Sequence, residues 1–149
     1  MKWKWKIASV KGIEISIHST VLLLLGWFFF SDISRGYGLE QAMGEIVFVG
    51  AILATVILHE LGHALMALKF GIGTKDITLW PIGGIARLNK MPSNPFQELL
   101  ISIAGPAVNV VLAIGLSILA GLFGVLTMSF GGYLGGGNFL NRLIIANVV

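Results

Sequence analysis

The sequence predicts an all-α polytopic membrane protein, a transmembrane helix bundle with a short N-terminal β-strand and a β-hairpin between helices 2 and 3. Composition is the first observation: hydrophobic residues make up 56% of the 149 residues and charged residues only 11%, whereas soluble domains carry about 25% charged residues. The mean hydropathy of +0.89 is the second. The third is an alternation of long apolar runs with short polar stretches, the pattern expected of membrane spans and their connections.

The opening stretch MKWKWKIASVKGIEISIH predicts an extended strand at the membrane surface. Lysine alternates with tryptophan and then apolar with polar residues, which is the period of two that a strand requires. Trp3 and Trp5 suit the aromatic belt at the interface, and the three lysines among the first six residues suit the cytoplasmic side. A solvated basic tail is the alternative. No convincing small-residue cleavage site follows, so we expect a retained membrane anchor rather than a signal peptide.

Two apolar segments then predict the first two membrane helices. The first covers about residues 15–30, which is short for a span that needs roughly 20 residues unless the bilayer thins or the flanks contribute. A polar, glycine-containing turn at residues 31–41 follows. The second apolar helix is expected at about residues 42–70.

The remaining segments predict the hairpin, a third helix and the start of a fourth. Residues 71–95 place β-branched side chains among Gly and Pro, which indicates short strands joined by a turn. Residues 96–125 are apolar and contain Pro106, which should kink the helix and free the carbonyl of Ser102. A glycine-rich loop at residues 129–138 leads to a last apolar segment that is too short to span a bilayer. We therefore expect residues 1–149 to break off within the fourth transmembrane helix.

Basic residues predict the topology. The net charge is +3, but the lysines and arginines are scattered singly around apolar spans, which indicates membrane orientation rather than a nucleic-acid partner. With a cytoplasmic N-terminus, most of them fall on the cytoplasmic side, while the opposite side holds Arg35 and, near its edge, Arg142. The C-terminal end of the second helix is then cytoplasmic.

That second helix contains the stretch ILHELGHALMAL at residues 57–68. His59 and His63 are four residues apart, so both imidazoles lie on one helical face and can bind a single metal ion. Glu60 lies about 100° round the helix, from where it can reach a metal-bound water as a general base. The alternative is a pair of core histidines that form interhelical hydrogen bonds. It must explain three ionisable side chains in an apolar span, where such groups are costly and usually functional.

Small residues continue the stripe of the two histidines at intervals of four. The stripe on the second helix consists of Ala51, Thr55, His59, His63 and Ala67, and a similar stripe on the third consists of Asn109, Ala113, Ser117 and Gly121. Stripes of this kind allow helices to approach closely in membranes, so we expect the two helices to pair with Asn109 near the level of the histidines. Small-residue packing without catalytic meaning is the alternative.

Three motifs follow one another along the chain: HELGH in a transmembrane helix, PIGG at residues 81–84, and GPAVN at residues 105–109 in the next helix. Together they resemble the site-2 protease family of intramembrane zinc metalloproteases. The resemblance covers most of the chain. HELGH alone is moderately specific, and its combination with GPAVN in a polytopic protein is strongly so.

The resemblance implies a role for each motif. His59 and His63 would be zinc ligands, with Zn²⁺ as the cofactor, and Glu60 the catalytic base. Asn109 would contact the substrate backbone or the oxyanion. PIGG would belong to a β-hairpin that borders the active site and pairs with an unwound substrate strand. Residues 1–149 would then form a transmembrane protease core.

One family feature is missing. The third zinc ligand of the family is an aspartate in a DG motif, and the chain contains neither DG nor any cysteine. Asp76 lies in the hairpin and Asp32 on the opposite side of the membrane, so neither is a good substitute. We expect the aspartate beyond Val149. His18 recurs in the family's N-terminal pattern, but we interpret it as a satisfied interfacial histidine.

The leading hypothesis is an intramembrane zinc endopeptidase that cuts transmembrane substrates near the cytoplasmic face, as in regulated intramembrane proteolysis. Two alternatives stay open: a membrane-anchored zincin that cuts exposed or misfolded loops, and a non-catalytic metal-binding membrane protein. The expected partners are a membrane-protein substrate and the lipid bilayer, with no nucleic acid. Whether the chain forms a homo-oligomer stays open.

Overall fold

The computed structural model describes residues 3–129 and 136–148 of the chain. This part is mostly helical and includes one small sheet of four strands. In chain order the elements are β1 Lys4–Val10, β2 Ile13–His18, α1 Ser19–Ser34, α2 Leu39–Lys69, β3 Thr74–Trp80, β4 Gly83–Leu88, α3 Pro95–Ser129 and α4 Gly136–Val148. The predicted glycine-rich loop at residues 129–138 falls largely outside the described residues.

The N-terminal segment forms a β-hairpin, so the prediction of a single strand was wrong. Strands β1 and β2 pair antiparallel from Lys4 opposite His18 to Val10 opposite Ile13. Lys11 and Gly12 connect them with φ angles of 48° and 83°, and positive φ at both central residues is what a tight two-residue hairpin turn requires. Apolar residues occupy even positions before the turn, at Ala8 and Val10, and odd positions after it, at Ile13 and Ile15, so the alternation changes phase at the turn.

Helix α1 begins at Ser19, four residues later than predicted. Ile15 belongs to β2 and is only 3% exposed. His18 is the N-cap: its side chain accepts a hydrogen bond from the backbone N–H of Thr20 and contacts the Thr20 hydroxyl at 2.8 Å. The His18 ring also stacks on Trp80 at the end of β3, with ring centroids 3.8 Å apart. The structure therefore gives His18 a capping and packing role.

The sheet has the order β1-β2-β3-β4, with β2 and β3 parallel and the other pairs antiparallel. Parallel neighbours need a long crossover, and helices α1 and α2 provide it. Ile13 and Ile77 from the sheet pack on Ala64 of α2 in one buried cluster. In a second cluster, Ala67 of α2 contacts Ile101 of α3. These clusters hold the C-terminal turns of α2 against both the sheet and α3.

Two helices are long and apolar enough to cross a membrane within the described residues, namely Leu39–Lys69 and Pro95–Leu122, with mean hydropathies of 2.0 and 2.2. Only 11% and 17% of their most apolar windows are buried. A core helix of a soluble protein would be mostly buried, so these exposed apolar surfaces favour contact with lipid. Helix α1 is shorter, at 16 residues.

Helix α4 is fastened to the N-terminal half of α2 by a polar and aromatic contact. The Arg142 guanidinium donates to both Glu45 carboxylate oxygens, at 2.9 and 3.3 Å, and lies 3.9 Å from the centre of the Phe48 ring. Phe48 in turn meets Phe139 edge-on. Cation–π and bidentate ion-pair geometry together favour this arrangement of α4.

An ion pair connects the two halves of the sheet. Lys4 Nζ of β1 donates to Asp76 Oδ2 of β3 at 2.7 Å, and Arg87 Nε lies 3.5 Å from Asp76 Oδ1 without hydrogen-bond geometry. The Lys4 hydrogen bond, with the charges of Lys4 and Arg87, holds the pKa of Asp76 below its ordinary value of 3.8. A lowered carboxyl pKa stabilises the folded chain above the unfolded pKa, and this contribution is lost as the pH falls through the folded pKa.

We therefore expect Asp76→Asn to lower the stability of the protein at pH 7 by at most about 1 kcal/mol, since the pair is partly exposed. The deficit should shrink as the pH is lowered below 3.8. Thermal unfolding in detergent, followed by circular dichroism at pH 7 and at a pH below 3.8, measures the loss of stability. The control is Glu14→Gln, which removes the more exposed Lys6–Glu14 pair of the same sheet and should change little. A deficit of Asp76→Asn that persists undiminished at low pH would contradict this assignment.

Candidate metal centre

The two histidines of HELGH point their outer nitrogens at one place. His59 Nε2 and His63 Nε2 are 3.1 Å apart, and the rings are nearly perpendicular. His63 Nδ1 lies 2.7 Å from the carbonyl oxygen of Ile101 in α3. Because a carbonyl only accepts, Nδ1 must carry the proton, which leaves a lone pair on Nε2. A backbone carbonyl that orients a metal-binding imidazole in this way is common at metal sites.

This donor set fits zinc. Two nitrogens at the usual Zn–N distance in a tetrahedral site are about 3.4 Å apart, close to the observed 3.1 Å. Gly105 of α3 faces the same place: a Cβ at this position would overlap His63 Nε2 and lie 2.7 Å from His59 Nε2. The absence of a side chain at Gly105 therefore keeps the space in front of both nitrogens open. His59 and His63 are the residues that could hold the metal.

Glu60 lies between the histidines and the hairpin. A Cβ on Gly84, the last residue of PIGG, would come within 2.5 Å of Glu60 Cγ and 3.3 Å of Glu60 Oε1. Strand β4 thus begins directly against the carboxylate side chain. A glycine is needed for this approach, and it places the predicted base at the edge of the sheet.

Asn109 lies one helical turn after Gly105. Its Oδ1 is buried and has no hydrogen-bond partner within the described structure. A buried acceptor without a partner is destabilising and uncommon. The carboxamide is therefore available to a group that enters from outside, such as a peptide N–H.

Asp76 and Asp32, the aspartates considered as a third zinc ligand, do not lie with the two histidines. Within residues 3–129 and 136–148, no group of three or more His, Cys, Asp or Glu side chains could hold a metal ion. Asp76 is paired with Lys4, and Asp32 is buried near the end of α1. The described residues therefore supply two ligands.

The helices meet along the predicted stripe of α2, where His59 and His63 face Gly105 and Ala67 packs on Ile101, and along the N-terminal continuation of the predicted stripe of α3. A Cβ on Gly62 would lie 2.8 Å from both Ala104 O and Val108 Cγ2, so α2 and α3 approach closely at Gly62 as well. Gly121, at the end of the predicted α3 stripe, is exposed and faces open space. The contact face of α3 follows Ile101, Ala104, Gly105 and Val108 at helical spacing. Asn109 borders that face.

By resemblance, PIGG was expected to border the active site, but Gly84, Gly105 and the carbonyl of Ile101 had no individual role. The motifs GPAVN and PIGG contain the two glycines, and a glycine in an apolar span signals a close approach. The carbonyl that Pro106 leaves without a helical N–H partner is that of Ser102, whereas the His63 contact is made by the neighbouring carbonyl of Ile101. No sequence signal identifies that carbonyl, because it belongs to the backbone.

Residues 47–144 match the sequence profile of Peptidase family M50. The chain belongs to peptidase family M50. The resemblance to site-2 proteases drawn from the motifs is thereby confirmed. The two apolar helices, taken with the M50 family, indicate an integral membrane protein.

Individual relatives of the chain are named as proteases of the same kind. A zinc metalloprotease of Methanocaldococcus jannaschii is 34% identical over 125 residues, 84% of this chain and 35% of that relative. A Synechocystis protein, named as a candidate zinc metalloprotease, is 38% identical over 120 residues, 76% of this chain and 31% of that relative. The solved structure of a site-2 protease from M. jannaschii matches 98% of this chain and 61% of its own, with a TM-score of 0.68 and 29% identity. The chain spans about a third of the length of these curated relatives.

Proposed function

We propose that the chain carries the metal centre and general base of an intramembrane zinc endopeptidase that hydrolyses peptide bonds of transmembrane substrates near the cytoplasmic face, in regulated intramembrane proteolysis. The observation that carries the proposal is the convergence of His59 Nε2 and His63 Nε2 at 3.1 Å, with Glu60 beside them. The names of the M50 relatives, zinc metalloproteases, support it. The basic residues at the N-terminus and at the C-terminal end of α2 support the cytoplasmic placement.

The zinc would be held by the two imidazoles. Bound zinc supplies a Lewis acid that makes water nucleophilic near neutral pH and polarises a peptide carbonyl. His63 is held ready for this by its hydrogen bond to Ile101 O, which fixes the ring and directs the Nε2 lone pair forward. By the family resemblance, the third ligand would be an aspartate, which would complete the two-histidine set of the described residues.

Glu60 is the base of the reaction. Its carboxylate takes a proton from the attacking water as the new C–O bond forms, and delivers that proton to the leaving amine nitrogen as the C–N bond breaks. The carboxylate starts one residue from His59 and reaches the edge of the sheet at Gly84. Glu60 can thus both accept the proton of the attacking water and donate it to the leaving amine.

Strand β4 would align the substrate. It is an outer strand of the four-stranded sheet. Ile82, just before the strand, is 95% exposed, and Ile85 within it is 47% exposed. An unwound substrate segment that adds to this edge by main-chain hydrogen bonds would pass Gly84 and so lie beside Glu60. Asn109, with its unpaired Oδ1, would accept a peptide N–H on the other side of that segment.

Substrate class tests the proposal against the membrane-anchored zincin. The protein, expressed with every residue that follows Val149 in its gene, is reconstituted in liposomes and given a membrane-anchored reporter or a soluble unfolded protein. We expect cleavage of the membrane reporter, at least tenfold faster than of the soluble protein, and its loss in His63→Ala. Equal rates on both substrates would favour the zincin, and cleavage unaffected by His63→Ala would overturn the metal centre.

The second alternative is a non-catalytic metal-binding membrane protein, and it rests on the presence of only two metal ligands among the described residues. Two protein ligands alone should bind zinc with low affinity. Elemental analysis of residues 1–149 alone and of the full gene product decides the matter: we expect substantially less zinc per chain in the shorter form. Equal and complete zinc in both would show that the third ligand lies within the chain.

A further inference from the structure

An open groove of about 520 Å³ lies between α2 and α3, beside the metal centre. Its walls are apolar and small, and include Gly62, Leu65, Ala104 and Ala107, while Lys11 and Lys69 also line it. We call it the two-lysine groove. It has no acidic residue among its lining side chains, so its field is positive. None of its residues takes part in the proposed hydrolysis.

The two-lysine groove is polar at one end and apolar along its depth. Lys69 is the last residue of α2, and Gly62 lies seven residues earlier, about 10 Å along the axis. Lys11 lines the groove from the β1–β2 turn, and Ile13, two residues on, packs on Ala64 of α2. Lys69 therefore lies where the apolar span of α2 ends, and Gly62 lies deeper.

Lys11 occupies a backbone conformation that disfavours lysine. Its φ is 48°, in the left-handed region where Gly, Asn or Asp is usual in a hairpin turn. Lys11 therefore adopts this backbone conformation at an energetic cost. Among the described residues, Lys4 and Lys6 of the same hairpin form ion pairs, whereas Lys11 and Lys69 form none. Two cations at the groove are thus left for a ligand.

We propose that the two-lysine groove binds an anionic phospholipid. The phosphate lies within reach of the Lys11 and Lys69 ammonium groups, and an acyl chain lies against Leu65, Ala104 and Ala107. Paired basic residues at the membrane end of an interhelical groove are suited to a lipid headgroup, and long lysine side chains extend to the interface while their stems cover apolar surface. A zwitterionic headgroup would add a positive charge beside the two ammonium groups and bind less well.

This site borders the metal centre. Gly62 and Ala104, where the helices approach closely, line the two-lysine groove. The next residue after Gly62 is His63, and the next after Ala104 is Gly105. An acyl chain in the groove would therefore pack on the residues that set the distance between α2 and α3. The inference itself concerns lipid binding and stands whether or not the chain is a protease.

Native mass spectrometry tests it on the full gene product in detergent, with phosphatidylglycerol and phosphatidylcholine of identical acyl chains. We expect several-fold more bound phosphatidylglycerol than phosphatidylcholine. The double variant Lys11→Gln/Lys69→Gln should bring phosphatidylglycerol down to the phosphatidylcholine level. The matched control Lys75→Gln/Lys90→Gln removes two exposed lysines that do not line the groove and should keep the preference. Ala107→Trp, which fills the apolar part, should lower binding of both lipids.

Equal binding of the two lipids by the wild type would overturn the proposal, as would a phosphatidylglycerol preference that survives Lys11→Gln/Lys69→Gln. A preference lost equally in the Lys75→Gln/Lys90→Gln control would show general charge attraction and also overturn it. If another part of the protein or a second copy fills the groove, no lipid adduct depends on the two lysines, and that result would likewise overturn the proposal. Undiminished lipid binding by Ala107→Trp would contradict the acyl-chain placement.

Discussion

Gly105→Ala is expected to weaken zinc binding at least tenfold although it adds a single methyl group. A Cβ at this position would overlap His63 Nε2 and come 2.7 Å from His59 Nε2. Either the rings turn away from the metal or α3 moves away from α2, and in both cases the two nitrogens no longer converge. Changes that merely disturb the orientation of metal ligands already cost about 10–100-fold in affinity. The hydrogen bond from His63 to Ile101 O would be strained at the same time.

Zinc per chain, measured by elemental analysis after equilibration at a fixed free zinc concentration, checks this. The matched control is Gly115→Ala on the same helix, where the added Cβ meets nothing within 4 Å and alanine is the better helix former. We expect wild-type zinc in the control and little in Gly105→Ala, with similar circular dichroism for both. A Gly105→Ala protein that binds zinc like wild type would show that the metal is not held in front of Gly105.

The parts of the site that could be predicted are local in sequence. His59, Glu60 and His63 belong to one helix, and helical geometry alone places the two imidazoles on one face. The apolar length of α2 and α3 is equally local. Periodicity and hydropathy therefore predicted these two helices to within four residues at each end.

The parts that could not be predicted depend on contacts between distant segments. Gly84 meets Glu60 because β4 pairs with β3 and the sheet packs on α2, and no local pattern specifies that packing. The Ile101 carbonyl has no side-chain signature. The N-terminal hairpin was missed because Lys11 occupies a turn position that normally belongs to Gly, Asn or Asp. The same unusual residue is one of the two cations in the proposed lipid site.

Glu60→Gln is expected to lower the rate of peptide hydrolysis by about 10²–10⁴-fold, the usual contribution of a general acid–base residue. Glutamine keeps the shape of the side chain against Gly84 but cannot take a proton from water at neutral pH. Zinc binding should be retained, because the proposed metal ligands are the two imidazoles and not Glu60. The matched control is Glu40→Gln, an exposed carboxylate in the first turn of the same helix, which should leave the rate within about twofold of wild type.

In the proposed reaction, α2 presents a zinc centre and its proton carrier to a peptide bond within the membrane. Cleavage of a membrane-anchored reporter by the Glu60→Gln protein, at a zinc content shown to equal that of wild type, measures the part of the proton carrier. We expect full zinc and a rate at least about 10²-fold below wild type. A Glu60→Gln protein that cleaves the reporter at the wild-type rate would contradict the account.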